Sequence, residues 1–308
     1  MNETYERIVK AAGAGRRLDV FVAGAVEGLS RSHAKRLIEE GFVLVEGEES
    51  KPAATVHVGD EVQITVAAPG DAGLVAEAIP LDVLFEDEHL IVVNKPAGMV
   101  VHPATGNWTG TLVNALLHHC ASLSEGGEPS RPGIVHRLDK DTSGVIVAAK
   151  ECAAHWKLAE QFAERQVEKE YRVLVGGTVR EDSVVVSMRI ERHPKERKRM
   201  RVSTGSGREA ETVFEVIERF DGAAYLRALP KTGRTHQVRV HCVHLRAPVL
   251  GDQVYSRGKA ARRLGLDVPR QMLHAARIKF THPATAKPVE ITAPLPDDFK
   301  AVLAALRG

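Results

Sequence analysis

Two short β-branched runs, Ile134-Val135 and Val145-Ile146-Val147, enclose a charged segment, His136-Arg137-Leu138-Asp139-Lys140-Asp141-Thr142-Ser143-Gly144. β-Branched side chains favour extended backbone, whereas Asp, Ser and Gly interrupt it. The pattern therefore predicts strand, exposed loop, strand, and commits this part of the chain to a sheet whose loop carries ionisable groups. Arg137 and Lys140 flank Asp139. Nearby cations favour the charged carboxylate, so Asp139 is expected to be ionised and available as a nucleophile or base. The plain alternative is a polar turn in which this Asp caps a local backbone donor.

The totals set bounds on the rest. A chain of 308 residues, 44% hydrophobic and 27% charged, suits one large globular domain or two. Neither a membrane-length apolar run nor a basic, apolar leader is present, which places the chain in the cytoplasm by expectation. Cys120, Cys152 and Cys242 are widely spaced and suit free thiols in a reduced compartment. His118-His119-Cys120 and His241-Cys242-Val243-His244 lack a four-ligand zinc pattern, so no metal is expected. A net charge of +2 does not by itself demand a nucleic-acid partner, but the charge is concentrated. Between Arg189 and Arg201 lie seven Arg or Lys against two Glu. Pro194 opposes a helix there, so Arg197, Lys198 and Arg199 are expected on an exposed loop or hairpin tip facing phosphate.

Read in order, residues 1–15 suggest a flexible lead-in. A first amphipathic helix follows from Leu18. A second runs from Arg31 to Glu40, with Ser30 as its N-cap and Gly41 as its stop. Val43–Val45 and Val62–Val66 read as strands. Arg31, Lys35 and Arg36 cluster on the second helix, a surface suited to phosphate. Residues 68–79 lose periodicity and read as a linker between a unit at 16–67 and another at 80–308. In the second unit, Ala153–Arg165 reads as a core helix with Trp156, Leu158, Ala159 and Phe162 at helical spacing, and Val167–Val175 as a strand.

Several separated strings carry a resemblance. Asn94-Lys95-Pro96-Ala97-Gly98, His136–Gly144, Lys169-Glu170-Tyr171 and Thr232-Gly233-Arg234-Thr235-His236-Gln237-Val238-Arg239-Val240-His241 resemble, in this order along the chain, the signatures of RluA/RluD-type pseudouridine synthases. Arg17-Leu18-Asp19, Ser30-Arg31, Gly41-Phe42-Val43, Val45-Glu46-Gly47 and Val58-Gly59-Asp60 resemble the RNA-binding module of the small-subunit ribosomal protein S-four type, with Glu46 where Asn is commoner.

The resemblance implies an α+β fold: a mixed, mainly antiparallel sheet in the catalytic domain, with a small αα-β RNA-binding domain at the N-terminus. It implies isomerisation of uridine to pseudouridine, in a stem-loop of large-subunit ribosomal RNA, with transfer RNA the other substrate class of the family. Asp139 is then catalytic. Tyr171 stacks on the base and is available to assist removal of the proton from carbon. Arg137 fills the gap left by the extruded nucleotide. Lys95, Arg234 and His236 line the substrate, and Arg239, with Arg234 as the rival, pairs with Asp139 as a catalytic residue. The reaction is an isomerisation, so no cofactor is expected, and no dinucleotide fingerprint is present. RNA is the expected partner, no membrane is, and a monomer is the default. Two other readings fit fewer residues: an RNA-binding assembly factor without catalysis, and a magnesium-dependent Asp phosphotransferase built on Asp139-Lys140-Asp141.

Overall fold

In the computed structural model the chain divides into two compact units, residues 1–73 and 74–308. The structure describes residues 3–26, 29, 31–66, 74–103, 107–126 and 131–308, with backbone alone for Glu3, Ser32, His33, Arg36 and Val66.

The first unit comprises β1 (Glu3–Ile8), α1 (Leu18–Ala25), α2 (Arg31–Glu39), β2 (Val43–Val45), β3 (Glu48–Glu49) and β4 (Glu61–Val66). Its strands form an antiparallel sheet in the order β1-β4-β2-β3. Leu18 and Val22 of α1 pack with Ala34, Leu37 and Ile38 of α2 against Val43, Val62 and Ile64 of the sheet. The expected flexible lead-in is corrected here. Glu3–Ile8 pairs along the whole of β4, from Glu3 opposite Val66 to Ile8 opposite Glu61. Tyr5 is only half-buried and Ile8 is exposed, so this edge strand has no apolar alternation for a sequence reading to detect. The expected N-cap Ser30 lies outside the described residues, as do residues 68–73 of the expected linker. Residues 74–79 are not free chain: Leu74 packs on the second core, and the Glu77 N–H donates to the Asn114 carbonyl at 2.9 Å.

The second unit comprises β5 (Val83–Glu86), β6 (Leu90–Lys95), α3 (Leu112–His119), β7 (Ser143–Ala149), α4 (Cys152–Ala163), β8 (Glu168–Gly176), β9 (Ser183–Arg192), β10 (Met200–Ser203), β11 (Arg208–Phe220), β12 (Ala223–Pro230), α5 (Gln237–His244), α6 (Lys259–Arg263), β13 (Leu273–Thr281), β14 (Pro288–Thr292) and α7 (Asp297–Arg307). Ten strands of the described residues form one sheet, in the order β10-β9-β11-β12-β8-β13-β7-β6-β5, with β14 paired to β13. Every pairing among the described residues is antiparallel except β13 with β7. That parallel junction, short at His274–Ser143 and Ala275–Gly144, joins the two halves of the sheet directly beneath the Asp139 loop. Strand β7 is buried along its whole length, which explains its run of Val, Ile and Ala. Ile134-Val135, expected as a strand, contributes a single bridge from Ile134 to Ala148.

One local expectation changes in three dimensions. Trp156 of α4 is exposed, while His155, Ala159 and Phe162 of the same helix line a cavity. At the start of α7, Asp297 pairs with Lys300, and it is Asp298 that accepts the Phe299 N–H. Among the described residues no helix is long and apolar enough to cross a membrane, and no group of three His, Cys, Asp or Glu could hold a metal. His119 instead meets Glu86 at 2.8 Å, and His241 meets Thr212 at 3.0 Å.

Gly144 marks the tightest point of the junction. Its φ is +115°, and a Cβ there would stand 2.1 Å from the Ala275 carbonyl oxygen. Both the conformation and the approach of β13 require glycine. Gly144→Ala is therefore expected to destabilise the second unit by roughly 3 kcal/mol or more, read as a lowered denaturant midpoint. An unchanged midpoint would show that β7 and β13 separate without cost.

Candidate active site

The loop before β7 is held from below by a lysine. Lys95, the last residue of β6, is fully buried, and its ammonium donates to the carbonyls of Pro96 (2.8 Å), Met99 (2.8 Å) and Lys140 (3.0 Å). The Gly98 N–H donates to the same Lys140 carbonyl, and the Thr142 N–H closes a turn on the Asp139 carbonyl. Burial pushes Lys95 down to about 7, while the negative charges of Asp141 and Asp139 oppose that shift. Lys95 is thus a staple for the loop and does not line the cavity that holds Asp139, a correction to its expected place. Arg270 holds the other side, donating to the Asp141 carbonyl at 3.1 Å while its fork grips Asp298. Leu138 is buried beneath, so the turn is anchored and the Asp139 side chain is left half-buried at a cavity wall.

A distant helix supplies the partner for that carboxylate. Arg239 lies in the first turn of α5 and is almost wholly buried. Its Nη1 donates to Asp139 Oδ2 at 2.8 Å. The remaining donors go to a second carboxylate: Nε to Asp252 Oδ2 at 2.8 Å and Nη2 to Asp252 Oδ1 at 3.1 Å. Burial opposes the guanidinium's charge, but the hydrogen bonds and negative fields of Asp252 and Asp139 outweigh it and raise Arg239 above its ordinary value. Arg234, the alternative partner, donates instead to the Glu209 carbonyl at 3.0 Å. A buried fork with two acceptors is the arrangement a planar guanidinium favours.

Asp139, Arg239 and Tyr171 line one cavity of about 540 Å³. Tyr171 comes from β8 and packs against the core clusters on both sides of the parallel junction. Burial, and then the charge of Asp139, push its hydroxyl up, so the resting site presents a neutral phenol ring rather than a base. His136 forms another part of the wall, stacked on Phe162 with ring centroids 4.6 Å apart, and its Nε2 accepts the Val147 N–H. Burial pushes His136 down to about 3, so it stays neutral. Arg137, exposed at the rim, Arg234, His236 and Lys169 complete a basic border. Burial and the neighbouring Arg234 push Lys169 down to about 8.

The outlying candidates divide. Arg197 and Lys198 are exposed on the β9–β10 connection, whereas Arg199 is half-buried, paired with Glu196 at 3.1 Å and set over the Tyr255 ring. In the first unit, the Arg31 side chain remains 59% exposed although it shares the buried Asp19 carboxylate with Arg17. Hydrogen bonds from Arg17, against the cost of burial and with help from Arg31, hold Asp19 below the usual carboxylate range. Lys35 pairs with Glu39 at 3.4 Å, and the Arg36 side chain lies outside the described residues. Asp252, Tyr255, Lys169 and Phe162 were not legible as site residues. Asp252 and Tyr255 sit in Gly251-Asp252-Gln253-Val254-Tyr255, a turn with no periodicity, and Lys169 carried the only available signal, its place two residues before Tyr171.

A carboxylate clasped by a buried guanidinium, an aromatic ring beside it and a basic border define a site for base chemistry on a polyanion. Residues 89–244 match the model of the RNA pseudouridylate synthases, and residues 16–62 match the S4 domain. The chain is 44% identical to ribosomal large subunit pseudouridine synthase D of Xylella fastidiosa, over 97% of this chain and 91% of that one. It is 42% identical to the protein of the same name from Nitrosomonas europaea, over 99% and 88%. Among solved structures, human RNA pseudouridylate synthase domain containing 4 superposes with a TM-score of 0.57 at 28% identity, covering 73% of this chain and 92% of that one. The chain belongs to the RNA pseudouridylate synthase family and carries an N-terminal S4 domain. It is therefore an isomerase, and the phosphotransferase reading falls: Asp139 precedes its strand instead of ending one.

Loss of the lysine staple separates support from contact. Lys95→Met should lower the unfolding free energy by roughly 2–4 kcal/mol, because three carbonyls lose their donor. Turnover should fall while the KM for RNA changes little; a defect confined to KM would mean that Lys95 touches RNA after all.

Proposed function

We propose that this protein isomerises specific uridines in a stem-loop of large-subunit ribosomal RNA, with Asp139 as the catalytic carboxylate. The 2.8 Å hydrogen bond from Arg239 to Asp139, at the edge of a cavity that also contains the Tyr171 ring, carries this reading. Isomerisation requires the glycosidic bond to nitrogen to break, the base to turn while held, and a bond to carbon to form. Arg239 keeps the carboxylate aimed through all three steps, because Asp252 fixes the rest of its fork. Tyr171 offers a face for the base to stack on, the usual way an unpaired base is held. Arg137, next to the buried Leu138 and exposed at the rim, takes the place of the nucleotide in the stack. Arg234 and His236 border the bound nucleotide. A target in a loop lowers the cost of extrusion, which is a few kcal/mol in a duplex.

The relatives named for the large ribosomal subunit support that RNA as the substrate. The S4 unit, displaying Arg31 and Lys35, and the hairpin with Arg197 and Lys198 provide phosphate contacts on either unit. They raise the local concentration of RNA at the site without contributing chemistry. The first unit, from β1 to β4, thereby acts as a binding module tethered to the second, whose own packing begins at Leu74.

The test uses RNA tritiated at carbon 5 of uridine. Wild-type protein should release tritium, and Asp139→Ala should release none while still binding the RNA. Release by the variant would remove Asp139 from the chemistry; binding by both without release would leave an RNA-binding factor. Mapping pseudouridine in ribosomal RNA from a strain lacking the protein should show sites lost in the large subunit, and loss only from transfer RNA would redirect the substrate assignment.

A further inference from the structure

Tyr255 has no part in the reading above, yet it touches both the catalytic cluster and the basic hairpin. Its hydroxyl accepts the N–H of Met200, the first residue of β10, at 2.9 Å. The same oxygen lies 2.9 Å from His236 Nδ1. Its ring lies under two guanidinium groups, Arg239 at 5.2 Å and Arg199 at 5.4 Å. His236 is itself held in the left-handed region, φ 55°, at the N-cap of α5, so its ring position is set by the backbone as well as by Tyr255.

Counting protons fixes the direction of the second bond. A phenol has one proton, and burial pushes this hydroxyl up to about 12, so it keeps it. The Met200 N–H already donates to the oxygen. Among the described residues the one acceptor placed for the phenol proton is His236 Nδ1. The opposite assignment would leave the phenol proton without an acceptor. It would also turn the bare Nε2 lone pair toward the Asp139 carboxylate. Burial, against the pull of Asp139, holds His236 below its ordinary value, and the Tyr255 hydroxyl is the one hydrogen-bond partner of its Nδ1 among the described residues.

We propose that Tyr255 is a positioning residue that locks His236 as the Nε2–H tautomer and directs that N–H at the space beside Asp139, where it donates to an oxygen of the bound uridine nucleotide. His236 Nε2 is 3.9 Å from Asp139 Oδ2, too far for a direct hydrogen bond and near enough for both groups to meet one nucleotide. The inference rests on the assignment of this cavity to the uridine. It also gives the hairpin a route to the site, since the Met200 N–H and the His236 ring share one hydroxyl.

The tautomer can be measured in the wild-type, full-length protein by nitrogen-15 NMR of labelled histidine, with His236→Gln identifying the His236 signals. Wild type should show a protonated Nε2 and an unprotonated Nδ1. Tyr255→Phe keeps the ring and removes the proton donor; an Nδ1–H population should then appear. In the tritium assay kcat should fall roughly tenfold, the scale of one hydrogen bond to a reacting group, with KM for RNA within about twofold. An Nδ1–H or doubly protonated His236 in wild type would overturn the proposal, as would a fall in kcat with the tautomer unchanged. The NMR result stands apart from the role of Asp139: tritium release by Asp139→Ala would sink the site assignment and leave the tautomer measurement intact.

Discussion

A single guanidinium shared by two carboxylates governs the geometry of this site. Arg239 and Asp252 are 3% and 1% exposed, so neither could be buried charged without the other. Their two hydrogen bonds orient the guanidinium plane and leave Nη1 as the donor that faces the cavity. Asp139 meets that donor from a loop a hundred residues earlier in the chain. Removing one partner from such a buried pair typically costs about 3–5 kcal/mol, which makes Asp252 as binding a constraint on the site as Arg239. Asp252 is fixed in turn by the Val254 and Tyr255 N–H groups, each 2.9 Å from Oδ1.

The same logic applies beneath the Asp139 loop. A loop on the open side of a sheet is ordinarily the mobile part of a protein. Here three carbonyls converge on the Lys95 ammonium, Arg270 grips the Asp141 carbonyl, and β7 begins where Gly144 lets β13 pass close. The carboxylate we propose as catalytic thus sits on a loop that has the rigidity of its scaffold, which suits chemistry whose reacting atoms must stay within fractions of an ångström. Arg137 at the rim and Arg197 and Lys198 on the hairpin, by contrast, are exposed.

Much of the site was legible because its strings are short and local. His136–Gly144 and Thr232–His241 each carry their chemistry within about ten consecutive residues, so chain order preserves them. Reading failed where a residue's meaning depends on its surroundings. Lys95 looks like an exposed cation in a turn, and only its burial reveals a staple. Helix α4 looks like core, yet Trp156 faces outward while Phe162 stacks on His136 in the cavity wall. Asp252 and Tyr255 carry no local signal, since their partners Arg239, His236 and Met200 are between 13 and 55 residues away.

The αα-β module at the N-terminus, the strand carrying Tyr171 and the Asp139 turn follow from the sequence by itself. They depend on periodicity, turn chemistry and contiguous strings, which are properties of neighbouring residues. Tertiary structure alone decided that Arg239 rather than Arg234 meets Asp139, that Lys95 lies beneath the loop, and that Glu3–Ile8 is a strand. Each of those depends on which segments the sheet brings within about 3 Å of one another, the reach of a hydrogen bond. A linear chain does not encode that distance.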